Sequence, residues 1–156
     1  MMASAFAITT DALAGEIVVS GGATTAMDTI KAGQEGTALS INYQGQLTSA
    51  AKWSVGWMQE DFSNGFLKRE GMVTEVMLEL LPSTNRFNVS LILGPYVYHA
   101  SGSYEDGDRY GLALQSGFDA TYKLNKNLTF DAGFRNTMTT TTSNTDTILI
   151  GLGYRK

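Results

Sequence analysis

Two groups of residues in this 156-residue sequence have types and spacings that can do chemistry. The first is Tyr98-His99-Ala100-Ser101. An imidazole two residues from a hydroxyl is a pairing that activates serine for acyl transfer when a third group holds the ring, and Glu105 and Asp106 lie close by. On an extended segment residues two apart share a face, so the geometry is attainable. The second group is a set of charges, Glu75, Glu79, Arg86, Asp119, Asp131 and Arg135, spaced among small and polar residues. Enclosed, such charges form either an ion path or a structural plug, and they need partners because an unpaired buried charge is very costly.

Composition removes other chemistry. With no cysteine and one histidine there is no disulfide, no thiolate metal site and no multi-histidine site. No phosphate loop, nucleophile elbow or metal-ligand cluster occurs, so no cofactor and no metal are expected. A net charge of -4, from 11 basic and 15 acidic residues with no basic stripe, speaks against a nucleic-acid partner. No run reaches the ~18 apolar residues of a membrane-spanning helix, which leaves a barrel as the one way across a bilayer.

The elements that must position these residues follow from one repeated pattern. From Gly111 to Lys123, Leu112, Leu114, Phe118, Ala120 and Tyr122 alternate with Gly111, Gln115, Gly117, Asp119, Thr121 and Lys123. After Asn125-Lys126-Asn127 the pattern resumes with Leu128, Phe130, Ala132 and Phe134 against Thr129, Asp131, Gly133 and Arg135. Period two marks strands. The same alternation predicts eight of them, over Glu16–Met27, Thr37–Leu47, Trp53–Gln59, Gly71–Leu81, Arg86–Tyr98, Tyr110–Lys123, Leu128–Met138 and Thr147–Arg155. Their connections alternate between short ones, at 48–52, 82–85 and 125–127, and longer ones at 28–36, 60–70, 99–109 and 139–146. Tight turns at one end and extended loops at the other are the habit of membrane barrels.

Residues 15–156 read as a single domain, since no linker interrupts the pattern. Residues 1–14 end in Ala12-Leu13-Ala14 and read either as a signal-peptide remnant or as an apolar N-terminal arm.

Two barrels share this alternation. A soluble lipocalin-like barrel turns its apolar face inward around a small apolar ligand, and a membrane barrel turns it outward. The polar face favours the second. It is built from Ser40, Asn42, Gln44, Ser54, Gly56, Asn88, Ser90, Gly94, Gly117, Gly133, Gly151 and Gly153, small enough for a narrow lumen and poor in the Lys and Glu of a solvated surface. Tyr43, Trp53, Trp57, Tyr98, Tyr110, Tyr122 and Tyr154 fall toward strand ends, where amphipathic rings settle at a lipid–water boundary.

The pattern from Glu16 to the end resembles the small eight-stranded outer-membrane β-barrels of Gram-negative bacteria, the group of the OmpA transmembrane domain, OmpX/Ail and OmpW. The last strand, Thr147-Ile-Leu-Ile-Gly-Leu-Gly-Tyr-Arg-Lys156, is similar to the C-terminal strand that barrel-assembly machinery recognises, although that signal ends in an aromatic residue and this sequence in Lys156. The resemblance implies an all-β, eight-stranded antiparallel up-and-down transmembrane β-barrel in a bacterial outer membrane. It implies a monomer whose partners are outer-membrane lipid and a surface ligand at the loops 28–36, 60–70, 99–109 and 139–146. The role expected is structural or one of surface contact, with a packed lumen and no enzyme activity. A second alternative comes from the lipid A deacylases, outer-membrane barrels that use a His-x-Ser pair with an acid, as His99 and Ser101 could. Gly94-Pro95 is a place for a bulge that would turn those two off the lipid face, and Gly102-Ser103 suggests loop.

Register can be read as well. If Leu124 and Leu128 close their turn, Gly117 faces Arg135 and Asp119 is its diagonal neighbour. If Leu80 faces Phe87, Glu79 lies beside Asn88 and diagonal to Arg86.

Overall fold

The computed structural model describes residues 15–27, 33–81, 86–102 and 109–155. Within them the period-two pattern becomes eight strands: β1 (Glu16–Ala26), β2 (Glu35–Thr48), β3 (Ala51–Phe62), β4 (Lys68–Glu79), β5 (Phe87–Ser101), β6 (Arg109–Lys123), β7 (Leu128–Thr139) and β8 (Thr145–Arg155). Each pairs antiparallel with its neighbours in sequence, and β1 pairs with β8 from Glu16↔Arg155 to Ala26↔Thr145, which closes the barrel. Closure removes both sheet edges, so every strand finds a ladder partner on each side.

The apolar residues face outward. Ile17 and Val19 of β1, Leu39 and Ile41 of β2, Leu91 and Leu93 of β5, Leu112 and Leu114 of β6, and Ile148, Ile150 and Leu152 of β8 are all exposed. Their alternate neighbours, among them Ser20, Ser40, Asn42, Ser54, Ser90, Gln115 and Asp119, are buried inside. This orientation is that of a transmembrane barrel and the reverse of a lipocalin-like one, which would keep its greasy face within.

The strands run further than sequence composition suggests. β3 continues to Phe62 and β4 starts at Lys68, so most of the segment 60–70 is ladder, with a short 3-10 turn at Ser63–Gly65. Likewise β2 begins at Glu35, β5 ends at Ser101, β6 begins at Arg109, and β7 and β8 leave only 140–144 between them. Charged and Thr-rich ends look like loops by composition, yet their parity is unbroken. The loop-end connections are therefore shorter than expected. The residues of 1–14, Pro82–Asn85, Glu105 and Asp106 lie outside the described residues.

At the opposite end the β2–β3 connection is Ser49-Ala50, with a bulge at Gln46–Thr48, and the β6–β7 turn is closed by the Leu124 N–H donating to the Leu128 carbonyl at 2.9 Å. The β6–β7 register is as expected, with Gly117↔Arg135. The β4–β5 register is two residues away from expectation: Glu79 faces Ser90, not Asn88. A shift of two keeps every side chain on its face, so only the diagonal partners change. Nor does Gly94-Pro95 reset parity. Val73↔Tyr96 and Val76↔Leu93 belong to one register on either side of it, and the β5–β6 ladder runs through unbroken.

Closure depends on close backbone approach at the β1–β8 seam. A Cβ on the inward Gly22 would collide with the backbone of Ile148 and Leu149, whereas one on the outward Gly21 would have only the Ala38 carbonyl, 3.8 Å away. Gly22→Val should therefore destabilise the barrel by about 1–3 kcal/mol or more, as overpacking does, while Gly21→Val should be near neutral. Urea unfolding in detergent, followed by loss of the compact electrophoretic form, measures both, and equal stability of the two variants would refute the seam constraint.

Candidate functional site

The lumen is filled in layers, each set by the parity of several strands. Nearest the loop end is a charge pair that sequence reading missed. Glu60 of β3 and Arg69 of β4 face each other across the ladder and are both fully buried. The guanidinium donates to Glu60 Oε2 from Nε at 2.9 Å and from Nη2 at 2.5 Å. Nη2 also donates to the Thr145 hydroxyl at 2.6 Å, and Nη1 donates to Thr142 Oγ1 at 3.2 Å and to the Ser143 carbonyl at 2.9 Å. Glu60 Oε1 accepts from Thr24 at 3.1 Å and from Thr145 and Thr147 at 2.9 Å each. The five N–H groups of the arginine and both carboxylate oxygens are thereby satisfied, which a buried ion pair requires if it is not to destabilise. Arg69 also lies 5.4 Å from the centre of the Tyr98 ring. Because Thr142 and Ser143 are buried and accept from Arg69, the β7–β8 connection folds inward over this layer.

Below it lies a neutral layer. Tyr96 donates to the Met58 carbonyl at 3.2 Å, and Gln115 donates to Thr137 at 3.0 Å. Val73, Ala38 and Leu149 pack in the same buried cluster.

The third layer gathers three of the six charges expected in the lumen. Arg135 of β7 donates from Nε to Glu75 Oε1 at 2.7 Å, from Nη1 to Asp119 Oδ1 at 2.9 Å and from Nη2 to Asp119 Oδ2 at 3.1 Å. The Asp119 pair is a bidentate fork, and Glu75 reaches Arg135 from β4, on another part of the wall. Gly133, opposite Asp119 in the ladder, leaves the room in which the two groups meet.

The other three charges stand elsewhere. Asp131 accepts from Thr121 at 2.9 Å, has its other oxygen 3.0 Å from the Thr129 hydroxyl, and is not a ligand of Arg135. Glu79 pairs with Lys52 at 3.0 Å and accepts from Asn88 at 2.7 Å. Arg86 is exposed at the turn-end mouth and does not meet Glu79, because the register shift carries it past. Glu16, also missed, accepts from Thr129 and from Arg155 at 3.3 Å.

Of the aromatic residues, Tyr43, Trp53, Tyr122 and Tyr154 gather outside at the turn end. The Tyr43 ring lies 5.5 Å from that of Trp53, tilted by 55°, and Tyr122 and Tyr154 are exposed. Trp57 is the last apolar outward residue of β3 before Gln59 and Asp61, and Tyr110 is 85% exposed at the loop end. Tyr98 is the exception. It points into the lumen, 1% exposed, with its hydroxyl 2.7 Å from those of Thr139 and Thr141. The reason is parity: Leu91 and Leu93 face out, so the even residues Tyr96 and Tyr98 face in. His99 and Ser101 accordingly share the outward face, half-buried, with the His99 ring 5.0 Å from Tyr110 and Glu70 opposite it in the ladder.

Among the described residues no cluster of three potential metal ligands occurs. No protein-family model matches the sequence, and no curated protein matches it. Solved structures do match. Neisserial surface protein A superposes with a TM-score of 0.74 at 11% identity, covering 92% of this chain and 97% of that one. The fold is that of the small eight-stranded outer-membrane barrels. The N-terminal β-barrel domain of Pseudomonas aeruginosa OprF gives 0.69 at 9% identity over 92% and 98% of the chains. Ail of Yersinia pestis gives 0.62 at 17% identity over 91% and 99%. Identities this low carry the architecture and no residue roles.

Arg135→Leu removes the cation shared by two buried carboxylates. Breaking a buried pair from one side costs about 3–5 kcal/mol, and that loss is expected in urea unfolding of the detergent-folded barrel. Arg135→Leu combined with Asp119→Asn and Glu75→Gln should recover part of it, and no recovery would mean that the charges do not interact as drawn.

Proposed function

We propose that this chain is a bacterial outer-membrane barrel with a closed lumen, a monomer that carries its short loop-end rim for contact at the cell surface and contributes mechanically to the envelope. The observation that carries the reading is the combination of an apolar exterior with a lumen crossed twice by saturated charge networks, at Glu60–Arg69 and at Glu75–Arg135–Asp119. The cavity beside Arg135 is only about 10 Å³, room for about one water, which needs ~10–15 Å³ on the same measure. Such a lumen carries no solute stream. The loop-end rim presents Glu35, Asp61, Lys68, Arg109 and Tyr110 to the outside, a mixed-charge surface with one prominent ring.

Acyl hydrolysis stands second: the unbroken parity does put His99 and Ser101 on one lipid-facing side, but the His99 ring rests 5.0 Å from Tyr110, and the outward groove of about 420 Å³ that His99 lines with Glu70 and Tyr110 does not have Ser101 in its lining. Incubation of the folded barrel with lipid A is expected to release no fatty acid; release that disappears in both His99→Ala and Ser101→Ala would overturn this part of the reading.

The main test is reconstitution. In planar bilayers the folded protein should show no step conductance, and it should require detergent to remain in solution. Leu93→Arg, at the middle of β5, should cost about 2–4 kcal/mol in folding into vesicles, and Tyr110→Arg, at the rim, about 0–1 kcal/mol. A chain that stays monodisperse without detergent, or an equal cost for the two substitutions, would sink the membrane assignment.

A further inference from the structure

We infer that the turn-end mouth of the lumen is a binding site for a small multivalent oxyanion, one that carries carboxylate or phosphate groups. This goes beyond the envelope role and does not depend on which side of a membrane that end faces. A cavity of about 300 Å³ opens there, lined among others by Lys52, Arg86, Lys123 and Arg155, with Glu79 and Asn88. Lys52 is the second residue of β3, Arg86 immediately precedes β5, and Lys123 and Arg155 are the last residues of β6 and β8. Four separate stretches of the wall thus each deliver one cation to the same space.

The charge there is not a reflection of composition, since the chain as a whole carries -4. Of the charged residues that line the cavity four are cations and one, Glu79, is a carboxylate; Glu79 meets Lys52 at 3.0 Å, and Glu16 meets Arg155 at 3.3 Å. A cleft with low-dielectric walls and one sign of charge in excess focuses its field and concentrates counter-ions. The guanidinium groups of Arg86 and Arg155 add planar forks suited to carboxylate and phosphate oxygens.

Asn88 also lines the cavity, and its amide donates at 2.7 Å to Glu79, the carboxylate that Lys52 meets. The volume is that of about ten liquid waters at ~30 Å³ each, room for an anion of citrate size and too little for a folded partner.

Calorimetric titration of the barrel, folded in nonionic detergent at low ionic strength, tests the site with two probes: citrate for carboxylate and pyrophosphate for phosphate. Binding of at least one is expected, weakened tenfold or more in R86Q/K123Q and weakened by added sodium chloride, as expected for partly exposed charges. Binding should be unchanged in Tyr110→Ala at the other end. The compact electrophoretic form verifies folding of each variant, and R86Q alone, at an exposed position, serves if the double variant fails to fold, with a several-fold loss expected. No binding of either probe to the unsubstituted protein, or undiminished binding to folded R86Q/K123Q, would overturn the proposal. These outcomes leave the membrane assignment untouched.

Discussion

A charge enclosed by eight strands has no water to turn to, and the arrangement of the whole lumen answers that constraint. Arg69 and Glu60 form the fullest case: every donor of one and both acceptors of the other are engaged, by each other and by Thr24, Thr142, Ser143, Thr145 and Thr147. Those partners come from β1, β8 and the β7–β8 connection, so the pair joins β3 and β4 to the far side of the barrel. One ion pair thereby ties the seam strands together and draws the last connection inward. Buried pairs seldom add net stability over apolar packing, but removing one partner is heavily penalised. The gain is in register. A slip of any of these strands by one residue would turn its hydroxyls to lipid and leave Glu60 or Arg69 without donors or acceptors.

Parity explains why so much of the fold was legible in sequence. Eight strands and the apolar exterior follow from counting by two, and the Gly117↔Arg135 pairing with the Arg135–Asp119 contact follows from counting back from the Leu124/Leu128 turn. Glu60 and Arg69 were lost because Gln59-Glu60-Asp61 and Lys68-Arg69-Glu70 look like solvated loop by composition. Their phase contained the signal: Glu60 continues the inward set Ser54, Gly56 and Met58, and Arg69 leads into Gly71, Val73 and Glu75. Tyr98 was misplaced for the complementary reason, since ring chemistry was weighed above the phase set by Leu91 and Leu93. The β4–β5 register was not available from parity at all. A shift of two residues changes no face, and only the turn geometry or the contacts themselves decide it.

The two ends of the barrel meet their surroundings differently. At the turn end, Tyr43, Trp53, Phe87, Tyr122, Phe130 and Tyr154 form a nearly continuous ring on the outside, through the pairs Phe87↔Tyr122 and Tyr122↔Phe130. At the loop end the outer rings are Trp57 and Tyr110, and the strands continue past them into Gln59, Asp61, Lys68 and Glu70. Aromatic rings anchor an interface by lying in it, whereas strands that pass through it present charge beyond it. The turn end therefore carries more of the rings that hold a barrel at a lipid–water boundary, and at the loop end the strands run on beyond theirs.

The likeness to other solved barrels at 9 to 17% identity has a physical basis in the same parity rule. Any residue that is apolar meets the needs of the lipid face, so Leu, Ile, Val, Phe and Met exchange freely there and sequence similarity decays. Inside, by contrast, each charge is matched atom by atom, and a substitution at Arg69 or Arg135 demands others on different strands. The exterior therefore states only that the chain spans a bilayer. What distinguishes one such barrel from another must lie where parity leaves freedom and water still reaches: the loop-end rim and the basic mouth at the turn end, where Lys52, Arg86, Lys123 and Arg155 are not forced by closure of the barrel. Residues that the fold does not require, yet that converge on one cavity, are the ones through which this chain can act as more than a plug.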